Sequence, residues 1–242
     1  MRVKILGSGD AFGSGGRFNT CFHLTSGDTR ILVDCGASSM VALRHFGVDP
    51  DSIDAIVISH FHGDHYGGLP FFLLYSQYES KRKRPLTLAG PPGLRERVTQ
   101  ALKACFGDLR TDWRFPLEFV ELHPGMVSRV EGLAVEPIPV EHGTGPTFAL
   151  RIDDGDKLFA YSSDTTWTDT LPAVARDADL FLVECYAYDE QLPNHCDWRT
   201  LSRHLPDLHA RRIMLTHMSA PMLARLDEVS VETAYDGLEI RL

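Results

Sequence analysis

The sequence predicts an α/β fold, and three observations predict it. Short apolar, strand-like runs alternate with helix-like ones along most of the 242 residues. Five of the apolar runs end on a residue able to bind a metal ion. The composition, 43% hydrophobic and 24% charged, is that of an ordinary folded chain rather than a disordered or low-complexity one. A chain of this length buries roughly 70–75% of its unfolded surface and needs no disulfide staples.

Taken in order, residues 2–6, 20–25 and 30–34 read as strands. A loop carrying Gly7, Gly9, Gly13, Gly15 and Gly16 separates the first two, and a Ser26-Gly27-Asp28 turn the next. Residues 37–46 suggest a helix and 55–58 a buried strand. Residues 66–78 suggest a second helix, on which Phe71, Phe72, Tyr75 and Tyr78 follow helical spacing. These four read mostly as core, with one edge available to a substrate pocket. Residues 86–89 form a strand, and Pro91-Pro92-Gly93 introduces a helix reaching about residue 104. The stretch 115–140 is β-rich, and strands continue through about 150 and 161. A helix, a strand (179–184), a helix (199–204) and a strand (212–216) complete the pattern. Length alone allows one large domain or two small ones. No internal repeat and no long Pro/Gly/Ser linker divides the chain, so residues 1–242 read as one domain.

Lys+Arg 24 against Asp+Glu 33 gives a net charge of −9, which argues against a broad basic face that coats nucleic acid. A local basic patch can still hold a small anionic ligand. Lys81-Arg82-Lys83-Arg84 reads as a solvated helix end, its functional alternative being contact with a phosphate-bearing substrate. The five cysteines (Cys21, Cys35, Cys105, Cys185, Cys196) are odd in number and lack CxxC spacing, so reduced, mostly buried thiols are expected. The first residues meet Gly7-Ser8-Gly9 before a signal-peptide core can form, and the apolar stretch Leu69–Tyr75 is far too short to cross a bilayer. A soluble, cytoplasmic protein is the expectation.

The metal-capable residues carry the functional reading. His60, His142, Asp164, Glu184 and His217 each close an apolar run. Side chains at the ends of neighbouring strands can converge on one rim. His60-Phe61-His62-Gly63-Asp64-His65 places three imidazoles and a carboxylate within six residues. One tetrahedral ion cannot use them all comfortably, but two ions can. His60 and His62 would face one ion, and Asp64 and His65 its neighbour, around a turn that Gly63 permits. Chance supplies this pattern in a chain of this composition on the order of 0.002 times.

His60-x-His62-x-Asp64-His65 after a buried strand, followed by Gly67-Gly68-Leu69-Pro70, resembles the metallo-β-lactamase superfamily, and most of all its ribonuclease Z branch. Leu6-Gly7-Ser8-Gly9 with Arg17 is similar to that branch's opening, and Val33-Asp34-Cys35-Gly36 to its Asp-Cys-Gly turn. Pro85 to Gly93 resembles its Gly-Pro-Pro-Gly segment. Ser162-Ser163-Asp164-Thr165 is similar to its Ser-Gly-Asp-Thr motif, with Ser for Gly. Ala178-Asp179-Leu180 leading to Glu184, and Leu215-Thr216-His217-Met218-Ser219, resemble its last two motifs. The resemblance spans nearly the whole chain.

It implies an αββα sandwich, two mixed sheets face to face with helices outside and a dinuclear site at one edge. One ion would take His60, His62 and His142, the other Asp64, His65 and His217, with Asp164 and a shared water between them. The imidazole-rich shell makes zinc the expected metal, and manganese and iron are compatible by ligand type. The implied catalytic residues are Asp64, Glu184 and His195, with Glu184 orienting His195 as the proton donor to the leaving group. Asn194-His195-Cys196 departs from the family's His-Ser-Thr at this point. Asp34 reads either as support for the metal ligands or as a plain turn aspartate. His23, His45, His123, His204 and His209 read as packing or surface residues. Only 22 positions separate His142 from Asp164, which leaves no room for the RNA-gripping arm that bacterial ribonuclease Z enzymes insert there, so transfer RNA is not the expected substrate. Nor is there the cysteine-bearing second metal site of the related phosphoribosyl cyclic phosphodiesterases.

The expected activity is hydrolysis of a small or single-stranded phosphodiester, with a thioesterase or lactonase as the rival. Glu184 and His195 favour phosphorus, because a poor alkoxide leaving group needs an acid. A flavodiiron-type oxidoreductase would carry Glu in place of His62, and a non-catalytic binding relative would have lost ligands. A homodimer is expected from the resemblance.

Overall fold

The computed structural model describes residues 1–107, 112–143 and 145–242. Its first half runs β1 (Arg2–Gly7), β2 (Cys21–Ser26), β3 (Thr29–Val33), α1 (Ser39–His45), β4 (Ala55–Val57), α2 (Gly63–Tyr66), α3 (Leu69–Leu74), β5 (Leu86–Gly90), α4 (Leu94–Phe106) and β6 (Leu117–Glu121). Its second half runs β7 (Ser128–Val130), β8 (Leu133–Pro139), β9 (Phe148–Asp153), β10 (Leu158–Tyr161), α5 (Leu171–Ala175), β11 (Leu180–Glu184), α6 (Trp198–His204), β12 (Ile213–Thr216), α7 (Ala220–Leu223), β13 (Glu232–Thr233) and β14 (Glu239–Arg241).

Two seven-stranded sheets result, ordered β14-β1-β2-β3-β4-β5-β6 and β13-β12-β11-β10-β9-β8-β7. Each is mixed: β3, β4, β5 and β6 are parallel, as are β10, β11, β12 and β13, and the remaining neighbours are antiparallel. One apolar layer lies between the sheets, with Phe22, Ile31 and Val57 from the first and Leu150, Tyr161 and Leu182 from the second. Two further layers pack helices outside: Leu43, Phe72 and Val98 against the first sheet, and Val174, Leu201 and Met222 against the second. This is the expected αββα sandwich.

The burial patterns explain the strands. β4 and β11 are buried on both faces, which is why they read as unbroken apolar runs rather than alternating ones. β8 alternates, and it tolerates Pro137 and Pro139 because its short neighbour β7 pairs only as far as Val135. Beyond that residue β8 is an edge, where a missing N–H costs nothing to the ladder.

Two sequence expectations are corrected. Of the four aromatics on the predicted helix 66–78, only Phe72 is fully buried, while Phe71 and Tyr78 are 46% and 43% exposed. The buried stripe is instead Leu69, Phe72, Leu73, Ser76 and Gln77, and the segment ends in a π-helical turn over Tyr75–Glu79. The basic run is a solvated helix end except at Arg82. Lys81, Lys83 and Arg84 are exposed, but Arg82 is buried and donates to the carbonyls of Asp51, Ile53, Arg84 and Pro85. A guanidinium is the one side chain whose rigid fork of donors can satisfy so many carbonyls at once.

Candidate metal centre

The parallel strands decide where the chemistry sits. β3, β4, β10, β11 and β12 all end on one rim, and β8, running parallel to β10 across β9, ends there too. Asp34 follows β3, His60 lies just past β4, His142 past β8 and Asp164 past β10. Glu184 closes β11, and His217 follows β12. His62, Asp64 and His65 arrive on the tight turn into α2.

Donor atoms of His60, His62, His142 and Asp164 lie within 4.8 Å of one another, as do those of Asp64, His65, Asp164 and His217. The two groups share Asp164. A third group of the same compactness joins Asp164 and His217 to Glu184 and His195. All the sequence-predicted site residues are therefore brought together.

Neighbouring polar groups determine which nitrogen of His60, His65 and His142 faces inward. Nδ1 of His65 meets Asp34 Oδ2 at 2.7 Å, and Nδ1 of His142 meets the Asn194 carbonyl at 2.8 Å. Nδ1 of His60 lies 3.1 Å from Ser59 Oγ and 3.3 Å from Ser163 Oγ. Their Nε2 atoms are thus left for the shared space, and Nε2 of His142 comes within 3.0 Å of His62 Nδ1. His217 Nε2 lies 3.1 Å from Asp64 Oδ2 and 3.4 Å from Asp164 Oδ2.

This donor set fits divalent cations. Among the described residues, Nε2 of His60, Nε2 of His65 and Oδ1 of Asp164 are buried with no hydrogen-bond partner. Orphaned buried donors are costly unless something else satisfies them. Asp34, Asp164 and Glu184 are fully buried and Asp64 is half-buried, so four carboxylates crowd one rim. The electrostatics are correspondingly extreme. Burial would lower the pKa of His217, but Asp164, Asp64 and Glu184 more than offset it and raise it to about 10. His60 is held well below its ordinary value, first by burial and then by the neighbouring His65, which together outweigh the opposing charge of Asp164. Imidazole and carboxylate donors in this mixture suit zinc and its neighbours rather than calcium or magnesium.

Glu184 and His195 stand beside the cluster. The Glu184 carboxylate bonds His195 Nδ1, and its second oxygen accepts from the Thr165 N–H at 2.6 Å, tying it to the segment that carries Asp164. Burial draws the His195 pKa down, yet the Glu184 hydrogen bond and charge outweigh it, leaving the imidazole above its ordinary value. Tyr186 stacks on the His195 ring with centroids 4.7 Å apart. Two clefts, of about 490 Å³ and 280 Å³, are lined by neighbours of these residues in the chain, the first by Trp167, Pro193 and Asp197 and the second by Tyr186, Ser219 and Arg225.

Several contributors are invisible in the sequence pattern. Ser59, Ser163 and Tyr186 are common residue types, and Asn194 contributes only its carbonyl. Backbone strain is a further one: Asp34, Ser163 and His217 all have φ near +58°. Non-glycine residues rarely adopt this region, and such outliers gather at functional sites. The resemblance held one clue, because Ser163 stands where the ribonuclease Z motif has glycine.

A family model described as anti-Pycsar protein Apyc1 matches residues 1–231. Ribonuclease Z of Lachnoclostridium phytofermentans is 35% identical over 143 residues, which are 59% of this chain and 45% of that relative. The match thus spans less than half of that relative's length. The metallo-beta-lactamase fold protein YhfI from Bacillus subtilis has the same fold, with a TM-score of 0.81 at 21% identity over 99% of both chains. The short form of human tRNase Z has a TM-score of 0.79 at 23% identity, covering 100% of this chain and 99% of its own. The metallo-β-lactamase fold, in the ribonuclease Z-like form that the motifs imply, is present.

Proposed function

We propose that this chain, which belongs to the anti-Pycsar protein Apyc1 family, is a dinuclear metal-dependent phosphodiesterase acting on a small or single-stranded phosphodiester. The observation that carries this reading is the Glu184–His195 pair standing against a cluster of seven metal-capable side chains. His60, His62 and His142 would hold one zinc ion and Asp64, His65 and His217 the other, with Asp164 shared. Two such ions supply a water of lowered pKa and neutralise charge on the phosphoryl oxygens.

The chain's own residues do the rest. Asp34, Ser59 and the Asn194 carbonyl orient the imidazoles so that little reorganisation is needed when substrate arrives. His195, protonated and oriented by Glu184, donates its proton to the departing alkoxide oxygen. Glu184, fully buried, keeps the imidazole charged until that moment. Tyr186, stacked on the His195 ring, would form one wall against which a substrate can lie. A thioester, whose thiolate departs readily, would not need such an acid, which favours phosphorus over a thioester. The name of the ribonuclease Z relative, matched over part of its length, points to the same bond. The family's description names an anti-Pycsar role, and phosphodiester hydrolysis is the activity proposed to carry it.

The test is steady-state hydrolysis of a chromogenic bis-aryl phosphodiester by zinc- and manganese-loaded protein, with Asp164→Ala as the control. Turnover that disappears in the variant supports the proposal and leads to cyclic nucleotides and short RNAs as substrates. A protein that holds two metal ions per chain yet hydrolyses thioesters or lactones and no phosphodiester overturns it.

A further inference from the structure

The outer face of the first sheet, turned away from its partner sheet, carries a basic pocket that the proposed chemistry does not use. Strand alternation creates it. Val3, Ile5, Phe22, Leu24 and Ile31 point into the layer between the sheets. Arg2, Lys4, His23, Thr25 and Arg30 therefore share the opposite face. The register sets Arg2 beside Arg241 and Thr25, Lys4 beside Glu239 and His23, and Thr25 beside Arg30. The segment following α1, from Phe46 to Ser52, forms the other wall of a cavity of about 230 Å³.

Two independent features make this pocket suited to an anion. Its cations are poorly paired. Lys4 bonds Glu239 at 2.9 Å and the Phe46 carbonyl at 3.3 Å, but among the described residues the Arg30 side chain reaches only the Asp28 carbonyl. Among the described residues Arg2 makes no side-chain hydrogen bond or ion pair. Asp49 and Glu239 are the acidic residues of the lining. In a chain of net charge −9 this reverses the sign of the surroundings locally. The second feature lies in the floor. His23 is only 8% exposed, and its Nε2 is buried with no hydrogen-bond partner among the described residues. Burial first, and then Arg2, Arg30 and Lys4, press its pKa down to about 4, so at neutral pH the ring is uncharged and one nitrogen can donate.

We infer that this pocket binds a small phosphate dianion, held by the Arg2 and Arg30 guanidinium groups, with a small turn of the His23 ring bringing its buried Nε2 to donate from the floor. Guanidinium pairs match phosphate oxygens in fork geometry, and a donor with no other partner gains the most from an oxyanion. The cavity exceeds the volume of a phosphate group, and Phe46 and Val48 give it an apolar edge, so a phosphomonoester fits as well as inorganic phosphate. The site is separate from the metal cluster. Arg30 lies at the start of β3 and Asp34 just past its end, about 13 Å away along the strand.

Calorimetric titration with inorganic phosphate and with phenyl phosphate, at neutral pH and constant ionic strength, tests this. Wild-type protein, Arg2→Gln/Arg30→Gln and Asp164→Ala are compared, with circular dichroism to verify folding. The expected result is a saturable event that the double variant weakens by about tenfold or more and that Asp164→Ala retains. Tighter binding of phenyl phosphate assigns the site to a monoester, and equal binding assigns it to the free anion. Lys4→Gln, which leaves both arginines in place, is expected to weaken the event less. The inference is overturned if the double variant titrates like wild type, or if Asp164→Ala alone abolishes all phosphate binding.

Discussion

Asp34 Oδ2 lies 2.7 Å from Nδ1 of His65, and the same carboxylate accepts from the Ser59 N–H and Oγ at 2.8 Å each. One buried side chain thereby fixes the tautomer of an imidazole and joins the rim ends of β3 and β4. Of the two sequence readings of Asp34, support for the neighbouring histidine is the one the geometry bears out. Asp34→Ala is expected to weaken metal binding by about 10–100-fold, measured by competition with a chromophoric chelator. Asp34→Asn, which can still orient the ring through its carbonyl, is expected to lose less.

His195→Ala is expected to reduce turnover in proportion to how badly the leaving group needs a proton. Activity on a diester with an alkyl leaving group falls by roughly 10²–10⁴-fold, while a nitrophenolate leaving group is affected far less. Equal losses on both would remove His195 from the role of acid. Glu184→Gln is expected to show the same pattern, because the bond to His195 Nδ1 is what keeps that imidazole charged.

Removing metal is expected to lower the melting temperature. A ligand present at a thousandfold excess over its Kd stabilises the folded state by about 4 kcal/mol, roughly 10 °C for a domain of this size. Scans with and without a strong chelator measure it, and added zinc is expected to restore the loss. In Asp164→Ala the chelator-induced shift should be much smaller, because both halves of the cluster lose a donor.

His23 makes a separate contribution to acid sensitivity. Its folded-state pKa is about 4 against an ordinary value of 6.5, so the unfolded chain takes up the proton first. Stability that is complete above the unfolded value is therefore lost as pH falls from 6.5 towards 4, by about 3 kcal/mol. Urea melts in phosphate-free buffer at neutral pH and near pH 4 are expected to show His23→Leu gaining that amount relative to wild type. A constant difference between the two proteins would contradict it.

Arg82→Met is expected to destabilise the fold by about 3–5 kcal/mol, because several buried carbonyls lose their donor together. Thermal denaturation should show a drop of roughly 10 °C. Lys83→Met, a residue away but exposed, is expected to change little.

Much of the fold was legible because burial on both faces of a parallel strand demands continuous apolar sequence, as in Ala55–Val57 and Leu180–Glu184. The reading of residues 66–78 went astray where helical spacing alone could not say which stripe faces the core. Phe71 and Tyr78 lie seven residues apart on the solvent side, and Ser76 and Gln77 are buried instead. The basic run at Lys81–Arg84 misled for a related reason. Charge predicts exposure unless hydrogen-bond acceptors surround it, and the acceptors of Arg82 include the distant carbonyls of Asp51 and Ile53.

By itself the sequence determined the alternation of elements and the crowding of metal-capable side chains into short motifs at strand ends, and through the resemblance of those motifs it implied the αββα class and the ligand set. Local pattern is enough for the first, because residue types and their spacing are properties of short segments. The tertiary structure alone decided which nitrogen of His60, His65 and His142 faces inward, that His195 Nδ1 meets Glu184, and that Ser163 and His217 sit in strained conformations. It also decided that Arg2, His23 and Arg30, scattered over three strands, share one pocket. The physical reason is common to all of these. Hydrogen-bond direction, burial and cross-strand neighbourhood depend on residues far apart in the chain, and they exist only once two sheets have closed on each other.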